Sequence, residues 1–133
     1  MNFKSCVLTL VMLFASPAWA DWEFVVETES GTQVFIDFQT VRKEAHRVKV
    51  WQLTNFPKPQ NTSSVQGISS LRTRYEIDCK EETSRTLAIT AFPEQYASGK
   101  ELGHQGESNK WEHIAPRSTH SEILKKVCKS PVR

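Results

Sequence analysis

Cysteine and histidine are scarce in this chain, with three and four copies among 133 residues. No CxxC is present, and no cysteine lies near a histidine at ligand spacing, so a zinc-type site gains no support. His46, His104, His113 and His120 form no HxH or HxxxH pair, and Pro116 separates the last two. A haem or metal centre would require these histidines to converge from separate elements, and no cofactor is assigned. Gly-x-Ser-x-Gly is missing as well, which removes the usual nucleophile elbow. Asp37, Asp78 and Glu81-Glu82 are the carboxylates on which acid–base chemistry would draw. Their sequence surroundings indicate neither a cleft nor a raised pKa. The sequence therefore reads as non-enzymatic.

Charge of one sign is missing too. Seventeen Lys and Arg residues oppose fifteen Asp and Glu, a formal net charge of +2. Duplex nucleic acid is not implied as a partner, because such binding neutralises many phosphates. Beyond the first twenty residues no long apolar run occurs. That start has three parts: a short basic MNFK, an apolar run over residues 6–16 (CVLTLVMLFAS), and Pro17 before Ala18-Trp19-Ala20. This order fits a secretory signal with small residues at −3 and −1 of the cleavage site. The run is too short for a membrane span of roughly 20 residues. Residues 1–20 are thus expected to be removed, leaving a single domain over 21–133 with no stable membrane span. Loss of Lys4 takes the net charge to +1. No cysteine follows the apolar run, so a lipid anchor is not expected.

Loss of Cys6 leaves Cys79 and Cys128, an even pair in an exported chain, which implies a disulfide. Two reduced thiols are the alternative. The bridge would close a loop worth on the order of 4 kcal/mol in the chain-entropy account.

Period-2 patterns dominate the first three quarters of the chain. Residues 22–28 read as a strand, Ser30-Gly31 as a turn, and 34–38 as a second strand with Val34, Ile36 and Phe38 on one face. Thr40 to Ala45 is a polar connection or a short edge strand. Residues 47–56 (RVKVWQLTNF) form a longer β-rich stretch. Residues 57–70, with two prolines and Gly67, read as a 14-residue loop containing the Asn61-Thr62-Ser63 sequon. Leu71 to Lys80 alternates most cleanly. Leu71, Thr73, Tyr75, Ile77 and Cys79 share the inward face, and Arg72, Arg74, Glu76, Asp78 and Lys80 the outward one. Thr86 to Phe92 returns with Leu87, Ile89 and Ala91 inward until Pro93 stops it. Residues 94–110 suit turns around one short strand near Lys100 to His104.

After Pro116 the period becomes helical. Ser118 or Thr119 can cap, and Thr119-x-x-Glu122 has capping-box form. Ile123, Leu124, Val127 and Cys128 lie on one face. The helix then meets the sheet where Cys79 points inward, and the two cysteines become a staple.

The residues Val48-Lys49-Val50-Trp51-Gln52-Leu53, Ser69-Ser70, Tyr75-Glu76-Ile77-Asp78-Cys79 and Arg85-Thr86-Leu87 occur in a distinctive order. Gly99-Lys100, Lys110-Trp111-Glu112-His113-Ile114-Ala115-Pro116 and Glu122 to Cys128 continue it. In order and spacing this set resembles the surface-adhesin protein E family of bacterial envelope proteins, over most of residues 22–130. The resemblance implies a mainly β, α+β fold: about six antiparallel strands with a C-terminal helix tied to the concave face. It also implies an exported protein of a Gram-negative bacterium, periplasmic or at the cell surface, in a family whose best-known member binds host matrix and serum proteins and dimerises. That adhesin's binding segments are not matched here, so no ligand residue is carried over.

Two features bear on recognition. The outward row led by Arg72 and Arg74, with Arg85 nearby, suits either an acidic polymer or cross-strand ion pairing. Trp51 and Leu53 point opposite to Val48 and Val50, so both faces of that strand carry apolar groups. Trp51, Leu53, Arg72 and Arg74 are the candidate partner surface. A protein partner (a host matrix protein or an envelope component) and a homodimer are expected. The competing readings are a periplasmic structural or maintenance protein without a host ligand, and a haem or metal carrier using the histidines.

Overall fold

Eight strands, one α-helix and a short 3-10 helix at Phe38–Thr40 make the regular structure of the computed structural model, which describes residues 21–129. The expected leader, with its Cys6, lies outside the described residues. The strands are β1 (Glu23–Glu27), β2 (Gln33–Ile36), β3 (Arg42–Glu44), β4 (Arg47–Gln60), β5 (Ile68–Asp78), β6 (Thr83–Phe92), β7 (Gly103–Gln105) and β8 (Glu112–His113). The helix α1 spans Thr119–Lys129. All pairings are antiparallel. The sheet runs β1-β2-β4-β5-β6-β7, with β3 beside β4 and β8 beside β6. The expected six-strand sheet is this main path; the two short strands extend it.

Register explains which residues face the helix. Val48 pairs with Ile77, Val50 with Tyr75, and Ile36 with Gln52. Because side chains alternate along each strand, Val34, Ile36, Val48, Val50 and Ile77 form one apolar patch. Ile123, Leu124 and Val127 of α1 cover it, making the main core together with Ile114. Burial of such side chains contributes about 1.5–3 kcal/mol each. Ser118 is the helix cap: its Oγ accepts the Ser121 N–H at 3.1 Å, and Ser121 Oγ donates to the Ser118 carbonyl at 2.6 Å. The cap therefore begins one residue before the Thr119 box. The Cys79–Cys128 bridge is formed, with Cα atoms 5.8 Å apart. Lys43 Nζ adds a bond to the Cys128 carbonyl at 3.3 Å.

Three local expectations are corrected. The 57–70 loop shrinks to residues 61–67, because β4 continues through Pro57 and Pro59 to Gln60. No ladder pairing falls on those prolines: the register is irregular between Asn55 and Gln60, so their missing N–H groups break no pair. In β6 a bulge sets Thr86, not Leu87, opposite Tyr75, and takes Leu87 out of the inward alternation. The outward face of β5 is not solvated throughout, since Glu76 and Asp78 are both buried. The strand after Leu87 ends at Phe92, where Pro93 was expected to stop it.

Beyond Pro93 the chain folds back over the second face of the sheet. Ser70 Oγ donates to the Glu94 carbonyl at 2.6 Å and accepts the Ala97 N–H at 2.9 Å. Asn55 Oδ1 accepts the Tyr96 N–H at 2.8 Å, and Gln95 Nε2 donates to the Phe56 carbonyl at 2.9 Å. Gly99 closes this turn at φ +89°, where an added Cβ would meet Pro93 Cγ at 2.8 Å. Phe35, Leu53 and Phe92 are thereby buried away from the helix.

Candidate binding face

The second face of β4 and β5 carries the charge. Odd-numbered β4 residues Arg47, Lys49 and Trp51 lie opposite Asp78, Glu76 and Arg74, and Leu53 lies opposite Arg72. Two tryptophans organise the cations. Arg72 and Arg74 sit over the Trp51 ring at 5.6 and 5.5 Å from its centroid. Arg47 and Arg85 sit over Trp111 at 5.0 and 5.4 Å. Arg72 also lies over Phe92 at 5.3 Å. The attraction of a cation to a ring's negative face is worth ~0.5–1 kcal/mol at exposed sites and more when water is excluded.

Ion pairing is uneven across this face. Arg85 donates to Glu76 at 3.0 Å and to Glu107 at 2.7 Å. Arg47 and His46 approach Asp78 at 3.8 and 3.3 Å. The Glu81 backbone N–H bond holds the Asp78 carboxyl below the usual carboxylate range, assisted by His46, the Lys80 N–H and Arg47 against the opposing effect of burial. Glu76 and Glu107 hold the Arg85 guanidinium above its ordinary value. Because Glu76 turns to Arg85, its cross-strand partner Lys49 has no carboxylate. Among the described residues, Lys49, Arg72 and Arg74 make no ion pair and no side-chain hydrogen bond. Arg72 Nε is buried without an acceptor. Beside this row, Arg42, Lys43, Glu44, His46, Arg47, Lys49, Arg74 and Glu76 line an open basin of about 720 Å3.

The four residues proposed from sequence as a partner surface therefore share one face, but not one exposure. Trp51, Arg72 and Arg74 are half-buried, whereas Leu53 is 0% exposed and supports the face from beneath. Cross-strand ion pairing holds for Glu76–Arg85 across β5 and β6 and fails for Arg72 and Arg74. Arg42, Lys49 and Trp111, which are not among those four, also border this face. Alternation in β4 already placed Lys49 beside Trp51; Trp111 comes from a loop, and no periodicity signals it. At the far end of the same face Phe24 and Tyr96 are 54% and 53% exposed, on either side of Phe35.

A second recess of about 360 Å3 lies at the start of α1, lined by Tyr75, Ser84, His113, Ser118 and His120 among others. Burial pushes the Tyr75 hydroxyl up and the His120 imidazole down from their ordinary values. His120 is half-buried. Its Nε2 lies 3.0 Å from Ser84 Oγ, and its ring meets Tyr75 edge-on at 4.7 Å. Among the described residues no carboxylate orients the other ring nitrogen, so the pair has no third member of a nucleophilic triad there. His104 bonds Thr90 at 3.0 Å and His46 faces Asp78, so these histidines serve separate contacts. No cluster of three or more metal-ligating side chains occurs among the described residues. No helix among them is long and apolar enough to cross a membrane.

Sequence comparison with curated proteins gave no match. Solved structures of protein E from Haemophilus influenzae share the fold. One superposes with a TM-score of 0.62 at 12% identity, covering 80% of this chain and 83% of that one. A second crystal form gives 0.63 at 12%, covering 80% and 86%. Protein E from a non-typeable strain gives 0.59 at 12%, covering 79% and 74%. The sequence profile described as surface-adhesin protein E matches residues 22–129, and the chain, with its antiparallel sheet and disulfide-tied helix, belongs to that family.

Proposed function

We propose that this chain is an exported, non-catalytic binding protein of the bacterial envelope that recognises a macromolecular partner across the second face of its sheet. The observation that carries this reading is the row of ring-held cations, Arg72 and Arg74 over Trp51, whose donors no group among the described residues uses. Structural arginines ordinarily spend those donors on carboxylates or carbonyls, and Trp and Arg dominate the contacts that matter at interfaces. Membership of an adhesin family favours a host matrix component as the partner, with an envelope component as the other source. The test is capture from matrix and envelope extracts with the processed chain and its R72Q/R74Q variant. A partner held by the first and lost by the second supports the reading; equal capture by both removes it. Protease treatment of intact cells separates surface display from the periplasm, because a protected chain cannot meet a host ligand.

One observation favours a further contact. Phe24 lies exposed on β1, the edge strand of the sheet among the described residues, and shares the Phe35 ring with the exposed Tyr96 on its other side. Apolar groups on an open edge suit self-association, and a homodimer through β1 follows. Light scattering of wild type and F24S tests it: a concentration-dependent dimer lost in the variant supports the contact, and a monomer at high concentration refutes it.

A further inference from the structure

We propose that the Arg72–Arg74–Lys49 row binds a sulfated polysaccharide, its sulfate groups taken by the guanidinium and ammonium donors. This rests on the binding-face reading above and names the chemistry of the partner.

Four observations narrow the class. First, the donors of the row are unpaired: among the described residues Lys49, Arg72 and Arg74 form no ion pair, Glu76 of the same basin is taken by Arg85, and Arg42 at the rim bonds only the carbonyls of Gln39 and Val41. Guanidinium groups present several N–H donors at fixed angles and match oxyanions through paired hydrogen bonds. Second, the cations are spaced by the sheet itself. Arg72 and Arg74 are two residues apart on β5, about 7 Å, and Lys49, opposite Glu76 on β4, is the diagonal neighbour of Arg74 at about 7–8 Å. Such a grid suits a polymer with repeated anionic groups better than a single small anion.

Third, the backbone of β4 and β5 is already paired on both sides, so a peptide cannot add as a strand here. The beds beneath the cations are also closed to an apolar anchor, since Leu53 and Phe92 are buried and Trp51 is capped by two arginines. An acidic peptide would have to be ordered without either source of affinity, at a large entropic cost. A stiff saccharide chain loses less on binding. Fourth, the guanidinium groups sit on aromatic rings, and Arg72 Nε is out of contact with water. A guanidinium is weakly hydrated. A sulfate ester is a weakly hydrated anion that keeps its charge at any physiological pH, so the two are dehydrated at lower cost than an ammonium with a carboxylate.

The test measures binding of heparin fragments, de-sulfated heparin, polygalacturonate and poly-glutamate to the processed wild-type chain. R72Q/R74Q, R74Q, K49Q and a remote control, K58Q/K100Q, accompany it. Wild type is expected to hold heparin and lose it on de-sulfation. R72Q/R74Q should weaken heparin by at least about tenfold, and each arginine removed should reduce the salt slope by about one. K58Q/K100Q should change little. Thermal unfolding checks every variant; if R72Q/R74Q does not fold, R74Q and K49Q carry the comparison. Equal losses in K58Q/K100Q would show diffuse charge attraction and overturn the site. Tighter binding of poly-glutamate or polygalacturonate than of heparin would overturn the sulfate assignment. If no sulfated polymer binds but a captured partner still depends on Arg72 and Arg74, the polysaccharide falls and the binding face stands. Should capture be insensitive to those arginines as well, both fall.

Discussion

Removing the staple between sheet and helix is the sharpest test of how this fold is held. Cys79 and Cys128 are 49 residues apart in sequence, and α1 is also held by Ile123, Leu124 and Val127 against Val48, Val50 and Ile77. The bridge therefore acts on the unfolded chain, by closing a loop of about 50 residues, more than on the native packing. In that account its removal costs about 4 kcal/mol at 25 °C. Because domains of this size have about 5–15 kcal/mol in total, C79A/C128A should fold with a narrow margin. Alanine avoids burying a new hydroxyl beside the core. Urea unfolding followed by tryptophan fluorescence would measure the loss for both the double variant and the reduced wild type. The slope of stability against urea should rise, since the unlinked chain exposes more surface when unfolded. A loss below about 1 kcal/mol with an unchanged slope would refute the loop-closure reasoning. A folded double variant with α1 melted would show instead that the disulfide, and not the apolar face, seats the helix.

Three other outcomes follow from named contacts. His120 is pushed down by burial from an ordinary value of 6.5, so the unfolded chain takes up its proton first. Stability is then full above that value and falls as pH drops through it; melting temperature should decrease from pH 7.5 to 5.5, and H120Q should flatten that decrease. Ser70→Ala removes the hydroxyl that serves both Glu94 and Ala97, at a cost of about 1–3 kcal/mol, and hydrogen exchange at the Ala97 amide should rise well above that of the β5 amides. Unchanged exchange would mean that the turn is held elsewhere. Arg85→Ala leaves the buried Glu76 carboxylate without its charged donor, for an expected loss of about 1.5–3 kcal/mol in chemical denaturation. E76Q/R85A should recover part of that loss, and failure to recover would argue against the pair.

Alternation in β5 and in the start of β4 carried most of the fold. It turned Tyr75, Ile77 and Cys79 toward a helix whose own period brought Ile123, Val127 and Cys128 to meet them. Pairing is a local consequence of side-chain parity, so it can be read along the chain. The 57–70 segment was misread for the opposite reason. Pro57 and Pro59 mark a loop in isolation, yet they fit the irregular end of a long hairpin where no ladder bond is required of them.

The candidate face was half legible. Trp51, Arg72 and Arg74 could be placed on one surface from parity, but their arrangement could not. Whether an arginine meets a carboxylate or a ring depends on the neighbouring strand's register and on loops arriving from elsewhere. Register sends Glu76 to Arg85 and leaves Lys49 alone. Trp111 reaches Arg47 from far along the chain, and the turn after Pro93 buries Leu53.

Sequence by itself therefore determined the sheet, the helix and the two cysteines that join them, because hydrophobic period and thiol count are properties of the chain alone. Only tertiary structure decided which cations remain unpaired. Ion pairs and cation–ring contacts form between side chains that folding, not sequence order, makes neighbours.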